Sequence, residues 1–139
     1  MPVQVGRLTV LVHDYNDALA FYVDKLGLEV IADQEVPPFR FLHVGARDAG
    51  LGLWLWMADD ENRYLVGRQA LGHPLLVFYT DDCRSDYEKL SERGVVFKRE
   101  PAESGDHIVA HFLDLYGNEM VLVQAKGRSA SGDKAVPGV

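Results

Sequence analysis

Thiols, long apolar runs and clustered positive charge are what this chain has little of, and each shortage excludes something. A single cysteine, Cys83, cannot close an internal disulfide and falls short of a zinc or thioredoxin motif, so it is expected to fill a helix face. No apolar stretch approaches the ~20 residues needed to span a bilayer, and the start MPVQVGRLTV lacks the basic region and apolar core of a secretory leader. A cytoplasmic protein with no membrane partner is expected. Lys and Arg number 14 against 21 Asp and Glu, a formal charge of -7. The basic residues do not cluster, which argues against a nucleic-acid partner, while the acidic balance suits a cationic ligand. What remains is enough for one domain: 139 residues, 47% of them hydrophobic.

The chain opens with an apolar, β-branched stretch, VQVGRLTVLV, that reads as a strand. In HDYNDALAFYVDKLGLEV, Asp14 and Asp17 sit like an N-cap and its N3 partner. Ala18, Phe21, Tyr22 and Leu26 recur at helical spacing, and Gly27 stands where a left-handed residue ends a helix. The spacing predicts about three helical turns and then a strand, 28–32. Pro37 and Pro38 fix a turn before a strand over 39–44, and LGLWLWM is the next strand. The charged stretch 58–72 lacks a clean period and reads as a connection with one short helical turn.

The order then repeats: strand HPLLVFYT, a helix over 82–93 with Cys83, Tyr87 and Leu90 on one face, then strands VVFKR, HIVAHFLD and EMVLVQ. Gly27 and Gly94 stand 67 residues apart, as do Gly50 and Gly117. The expected fold is α+β: one domain over 1–126 made of two βαβββ modules, 3–57 and 73–124, joined by 58–72. Each four-stranded sheet would have a helix on one face, and the two bare faces would form a shared cup. The tail 127–139 is small, polar and Gly-rich, and reads as disordered or packed on a partner chain.

The pieces VLVHDYNDALAFYVDKLGLEV, YTDDCRSDYEKLSERGVVF and FLDLYGNEMVLV carry A-x-x-F-Y-x-x-x-L-G and D-x-x-G-N at matching distance. With these motifs the chain resembles the vicinal oxygen chelate superfamily from Val5 to Gln124. That group holds glyoxalase I, extradiol dioxygenases, fosfomycin-modifying enzymes, methylmalonyl-CoA epimerase and the metal-free bleomycin-resistance proteins. The resemblance implies a fold and leaves the chemistry open. In its catalytic members a divalent metal in the cup acts as a Lewis acid. The corresponding ligand positions here are Arg7, Trp54, Leu75 and Val121, none of which offers a donor that binds divalent metals. The standard metal site is therefore not expected.

Side chains of equal parity share one face of a strand. The cup would then be lined by Val5, Arg7, Thr9 and Leu11, by Gly52, Trp54 and Trp56, by His73, Leu75, Val77 and Tyr79, and by Glu119, Val121 and Val123. Leu8, Val10, Val12, Leu76, Phe78, Met120 and Leu122 would pack under the helices. The expected ligand-binding residues are Arg7, Thr9, Trp54, Trp56, Tyr79, Glu119 and Val121; no catalytic residue is assigned. Arg7 has two open readings, an internal ion pair with Glu119 or a donor fork that grips a ligand carboxylate or enolate. Trp54 and Trp56 are either core or a stacking wall for a planar or cationic molecule, and Tyr79 either a capped core residue or a ligand-orienting hydroxyl. His43 and His111, at equivalent places in the two modules, could act as an acid or base; His13 and His107 suggest no site.

These readings favour a protein without a metal cofactor that binds a small aromatic or cationic molecule, as the metal-free bleomycin-resistance proteins do. Whether it is an enzyme stays open. The alternative is a glyoxalase-like lyase, isomerase or dioxygenase whose Zn, Ni, Fe or Mn is displaced onto His73 and Glu119. By the same resemblance a homodimer is expected.

Overall fold

The two modules expected from the repeat are both present, and the chain divides between Gln69 and Ala70 into two units. The computed structural model describes residues 2–126. The reading of 127–139 as a disordered tail lies outside the described residues.

In module one the strands are β1 (Arg7–Val12), β2 (Glu29–Val36), β3 (Phe39–Gly45) and β4 (Gly52–Met57), in sheet order β1-β4-β3-β2. β1 runs parallel to β4, and the other pairs are antiparallel. Between β1 and β2 lies α1 (Tyr15–Leu19), whose N-cap Asp14 accepts the Asp17 amide at 2.9 Å. The helix continues as a wider π segment, Ala20–Lys25, in which the Leu26 amide donates to the Phe21 carbonyl at 2.9 Å. The widened turn accompanies the burial of two successive rings, Phe21 and Tyr22. Alternation then separates the sheet's faces: Val10, Val12, Leu42, Val44, Leu53 and Leu55 are buried with Ala18 and Tyr22. Each fully buried side chain of this size contributes about 1.5–3 kcal/mol. A 3-10 turn, Asp60–Leu65, occupies the connection where a helical turn is expected.

Module two repeats the pattern with β5 (Pro74–Tyr79), α2 (Cys83–Glu92), β6 (Phe97–Ser104), β7 (His107–Leu113) and β8 (Glu119–Ala125), ordered β5-β8-β7-β6. Asp82 caps α2 by accepting the Ser85 amide at 3.0 Å. Cys83 is fully buried on the helix face, as expected, and burial pushes its thiol up to about 11. Tyr87 meets Phe97 edge-on at 4.7 Å.

The turn DLYGN is a closed polar knot. Oδ1 of Asp114 accepts the Tyr116 and Asn118 amides, each at 2.9 Å, and Oδ2 accepts the Asn118 side-chain amide at 2.9 Å. Asp114 and Asn118 are both buried. Gly117 holds φ +95°, a conformation that a side chain would strain.

Two expected strand ends are corrected. β1 starts at Arg7, opposite Gly52, so Val5 precedes the sheet and is exposed. β5 starts at Pro74 and its register shifts between Pro74 and Leu76. His73 therefore lies before the strand, and neither it nor Leu75 follows the simple alternation used to aim them. β2 and β6 run further than expected, through DQEV and EPAES. Both are outer strands, where a charged edge is tolerated and an apolar pattern is not required.

Candidate functional site

On the face of module one away from its helix, the odd residues of β3 and the even residues of β4 form a ladder of rings. Trp54 and Trp56 approach to 4.6 Å between centroids, Phe41 lies 5.4 Å from Trp54, Phe39 lies 6.4 Å from Phe41, and the His43 ring is 5.1 Å from Trp54. All contacts are tilted, the offset geometry that aromatic quadrupoles favour. Trp56 is 41% exposed and Phe39 58%, so the ladder presents ring surface to solvent rather than serving only as core. A cleft of about 520 Å³ opens beside it, with Tyr15, Arg40, Met57 and Asp59 completing its lining. Arg40 is held bidentately by Asp33 at 2.9 and 2.8 Å and lies 5.0 Å over the Tyr15 ring. Its guanidinium keeps the Asp33 carboxyl below the ordinary carboxylate range. The parity of Phe39, Phe41 and His43 is the signal in the sequence that could have added these phenylalanines to the two tryptophans.

Arg7 takes neither reading expected of it in full. Its Nε donates to Nδ1 of His43 at 3.0 Å and its Nη1 to the Gly6 carbonyl at 2.7 Å. Arg7 and His43 are on β1 and β3, with β4 between them, and β4 carries glycine at the crossing point. A Cβ at Gly52 would stand 3.4 Å from the Arg7 Cδ and 2.7 Å from the Ile31 side chain. Because arginine only donates, Nδ1 of His43 must be bare and its proton sits on Nε2. That Nε2 is buried without a hydrogen-bond partner. Desolvation, then the Arg7 charge, lowers the pKa of His43, which favours the neutral ring. Thr9 lies on the same face, opposite Trp54, and its carbonyl and the Leu11 amide are both bonded by the Gln69 side chain, a contact the sequence did not reveal.

In module two the equivalent histidine has a partner of opposite sign. Nδ1 of His111 lies 2.7 Å from Oε2 of Glu119, and Lys98 Nζ donates to Oε1 at 3.0 Å. The His111 bond and then the Lys98 bond hold the Glu119 carboxyl below its ordinary range. The expected Arg7–Glu119 pair is thus replaced by partners within each module. Val121 is buried at the floor of a second cleft of about 510 Å³, which His111, Arg99, Val77 and Val109 also line. Tyr79 is half exposed at the far end of β5 and is not among the lining residues.

The chemistry of the donors does not fit the family's metal. Arg7 is engaged by His43, Trp54 sits within the ring ladder, Val121 is buried and apolar, and Leu75 lies in the register shift. For the displaced alternative, Glu119 is occupied by His111 and Lys98, and His73 sits outside β5. Among the described residues no three His, Cys, Asp or Glu side chains converge.

The model of the Glyoxalase/Bleomycin resistance protein/Dioxygenase superfamily matches residues 4–122. The chain belongs to this superfamily. Among its relatives is an uncharacterized protein of Shewanella frigidimarina (strain NCIMB 400), 34% identical over 128 residues, which cover 89% of this chain and 95% of that one. Among solved structures it is similar to UcmS2, at 30% identity and a TM-score of 0.78 over 88% of this chain and 98% of that chain. It is also similar to TnmS3, an antibiotic binding protein from Streptomyces sp. CB03234, at 30% identity and a TM-score of 0.75 over 90% and 98%. The superfamily fold accounts for both four-stranded mixed sheets and the helix beside each. No helix among the described residues is long and apolar enough to cross a membrane.

Proposed function

We propose that this superfamily member binds a planar aromatic, preferably cationic, small molecule on the ring ladder of module one and sequesters it without chemical change. The observation that carries the reading is the exposed ladder of Phe39, Phe41, Trp54 and Trp56 beside a cleft that also holds Asp59. A flat ligand stacked on two indoles gains about 0.5–1.5 kcal/mol per ring contact beyond area burial, and a positive charge over an indole adds a comparable amount. Arg40 is neutralised by Asp33, and the chain's charge of -7 attracts cations. The likeness to an antibiotic binding protein supports a resistance role of the sequestering kind. The family resemblance extends the reading to a cytoplasmic homodimer, which light scattering on the purified protein tests.

Titration of a panel of planar cations against intrinsic tryptophan fluorescence is the direct test. Quenching should saturate at one ligand per chain, and Trp54→Ala should weaken the best ligand about tenfold or more. Unchanged affinity in Trp54→Ala and Trp56→Ala would remove the stacking wall. Stoichiometric Zn, Ni, Fe or Mn that survives dialysis and is lost in His73→Ala and Glu119→Ala would replace this reading with the metal-dependent one.

A further inference from the structure

The cleft beside the ring ladder has two charged lining residues, Arg40 and Asp59, and only one of them is neutralised. Arg40 gives its Nε and Nη2 to the two oxygens of Asp33, so that pair sums to zero. Glu35, opposite Arg40 across β2 and β3, adds a negative charge on that side. Asp59 has no ion-pair partner among the described residues. Its Oδ1 accepts the Asn62 backbone amide at 3.0 Å and the Asn62 side-chain amide at 2.8 Å, while its Oδ2 accepts no hydrogen bond among the described residues. The turn behind it carries Asp60 and Glu61 against Arg63. The charge left over in the cleft is therefore negative, and it ends in one open carboxylate oxygen.

Asp59 is also held in place. It follows Trp56 by three residues, just past the end of β4, where Trp56 and Met57 are both partly exposed. The segment that carries it is pinned to β1 at both ends. At the near end the amide of buried Ala58 donates to the Val12 carbonyl at 3.0 Å. At the far end the Gln69 side chain donates to the Thr9 carbonyl at 3.0 Å and accepts the Leu11 amide at 2.7 Å, the two bonds a neighbouring parallel strand would make around Val10. Between these points Val66 is buried. A carboxylate on so fixed a backbone is preorganised, and little freedom is lost when a ligand engages it.

An open carboxylate oxygen is best satisfied by a charged N–H, which forms a shorter and stronger bond than contact with a charge that has no proton to give. From these observations we infer that Asp59 is the specificity-determining residue of the ring-ladder site. Its ligand carries the positive charge on a short ammonium arm that donates to Oδ2 of Asp59, while the attached ring system lies on Trp54 and Trp56. The inference rests on the ladder being the binding surface, and it adds where on the ligand the charge must sit.

Calorimetric titration of the full chain with three compounds that share one ring tests it: 2-(1-naphthyl)ethylamine, its N,N,N-trimethyl derivative and 2-(1-naphthyl)ethanol. The amine should bind about tenfold more tightly than the alcohol, with the trimethyl compound between them. Asp59→Asn keeps an oxygen for the Asn62 amides and a residue suited to the cap, so the melting temperature should stay near that of the parent. In that variant the amine-to-alcohol ratio should fall to about one, within a factor of about two. Asp60→Asn, at a position that does not line the cleft, removes the same charge and should leave the ratio unchanged. Equal affinities for amine and alcohol, a ratio that survives Asp59→Asn, a trimethyl compound that binds as tightly as the amine, or an equal fall in Asp60→Asn would each overturn the assignment. Trp54→Ala separates the two readings. If it weakens all three compounds while the ratio ignores Asp59, the ladder stands and the Asp59 anchor falls; if none of the three binds, or none responds to Trp54→Ala, both fall.

Discussion

His43 and His111 hold equivalent places on the third strand of each module, and their surroundings are opposite in sign. His43 accepts from Arg7, whereas His111 faces Glu119. The difference traces to two pairs of equivalent positions, Arg7 on the first strand, which has no cationic counterpart on β5, and one pair on the last strand. Module one has Gly52, which leaves open the path by which Arg7 crosses from β1; module two has Glu119, whose side chain fills that path and reaches the histidine from the strand between. The first-strand and middle-strand residues together thus decide whether the histidine lies under a cation or is braced by a carboxylate, because β5 carries no counterpart of Arg7. The two bare faces accordingly have different chemistry, rings in one and a carboxylate-braced histidine beside valines in the other.

The comparison should break hardest at the turns leading into β4 and β8. Asp114→Ala strips the acceptor from two backbone amides and the Asn118 side chain at a buried site, and should cost about 3 kcal/mol in denaturant unfolding. Arg47, its counterpart in module one, is exposed and paired to Glu29 at 3.2 Å, so Arg47→Ala should cost under about 0.5 kcal/mol. Equal costs would show the two turns to be equivalent after all. Next is Gly52→Ala, which sets a Cβ 2.7 Å from the Ile31 side chain and 2.9 Å from the Val44 carbonyl oxygen. A loss of about 2 kcal/mol is expected, with the NMR titration of His43 moving up as Arg7 is displaced.

Acid should then separate the modules. The folded-state pKa of His43 lies below its ordinary 6.5, so the folded chain binds fewer protons than the unfolded one. The stability this confers is present above 6.5 and lost as pH falls through the lowered value. Glu119 lies below its ordinary 4.5, so its contribution is lost only further down. Stability measured against pH should show the upper loss vanish in His43→Gln and the lower one in Glu119→Gln; a single shared step would contradict the assignment. The smallest effect is reserved for Arg40→Met, which breaks a partly exposed bidentate pair and should cost less than about 1 kcal/mol.

Much of this architecture was legible in the sequence because period and punctuation are local. The N-cap Asp14, the helix face of Cys83 and Leu90, and the alternation of β1 and β4 followed from spacing within each element. The partners of Arg7 and Glu119 were not legible, because they depend on which strands are neighbours and on the size of a residue in a third strand. His73 and Leu75 were misjudged for a related reason: parity holds only while register holds, and it shifts between Pro74 and Leu76. The rings of Phe39 and Phe41 were readable by the same parity that aligned His43.

The Asp114 knot gives β8 an unusual independence. Its anchorage runs through backbone amides and the Asn118 side chain, so the entry of the strand is fixed before residues 119, 121 and 123 are chosen. Those three positions behave as a replaceable cassette on a constant frame. An engineer could rewrite the cleft of module two, and natural divergence could do the same, without touching the motif by which the chain is recognised.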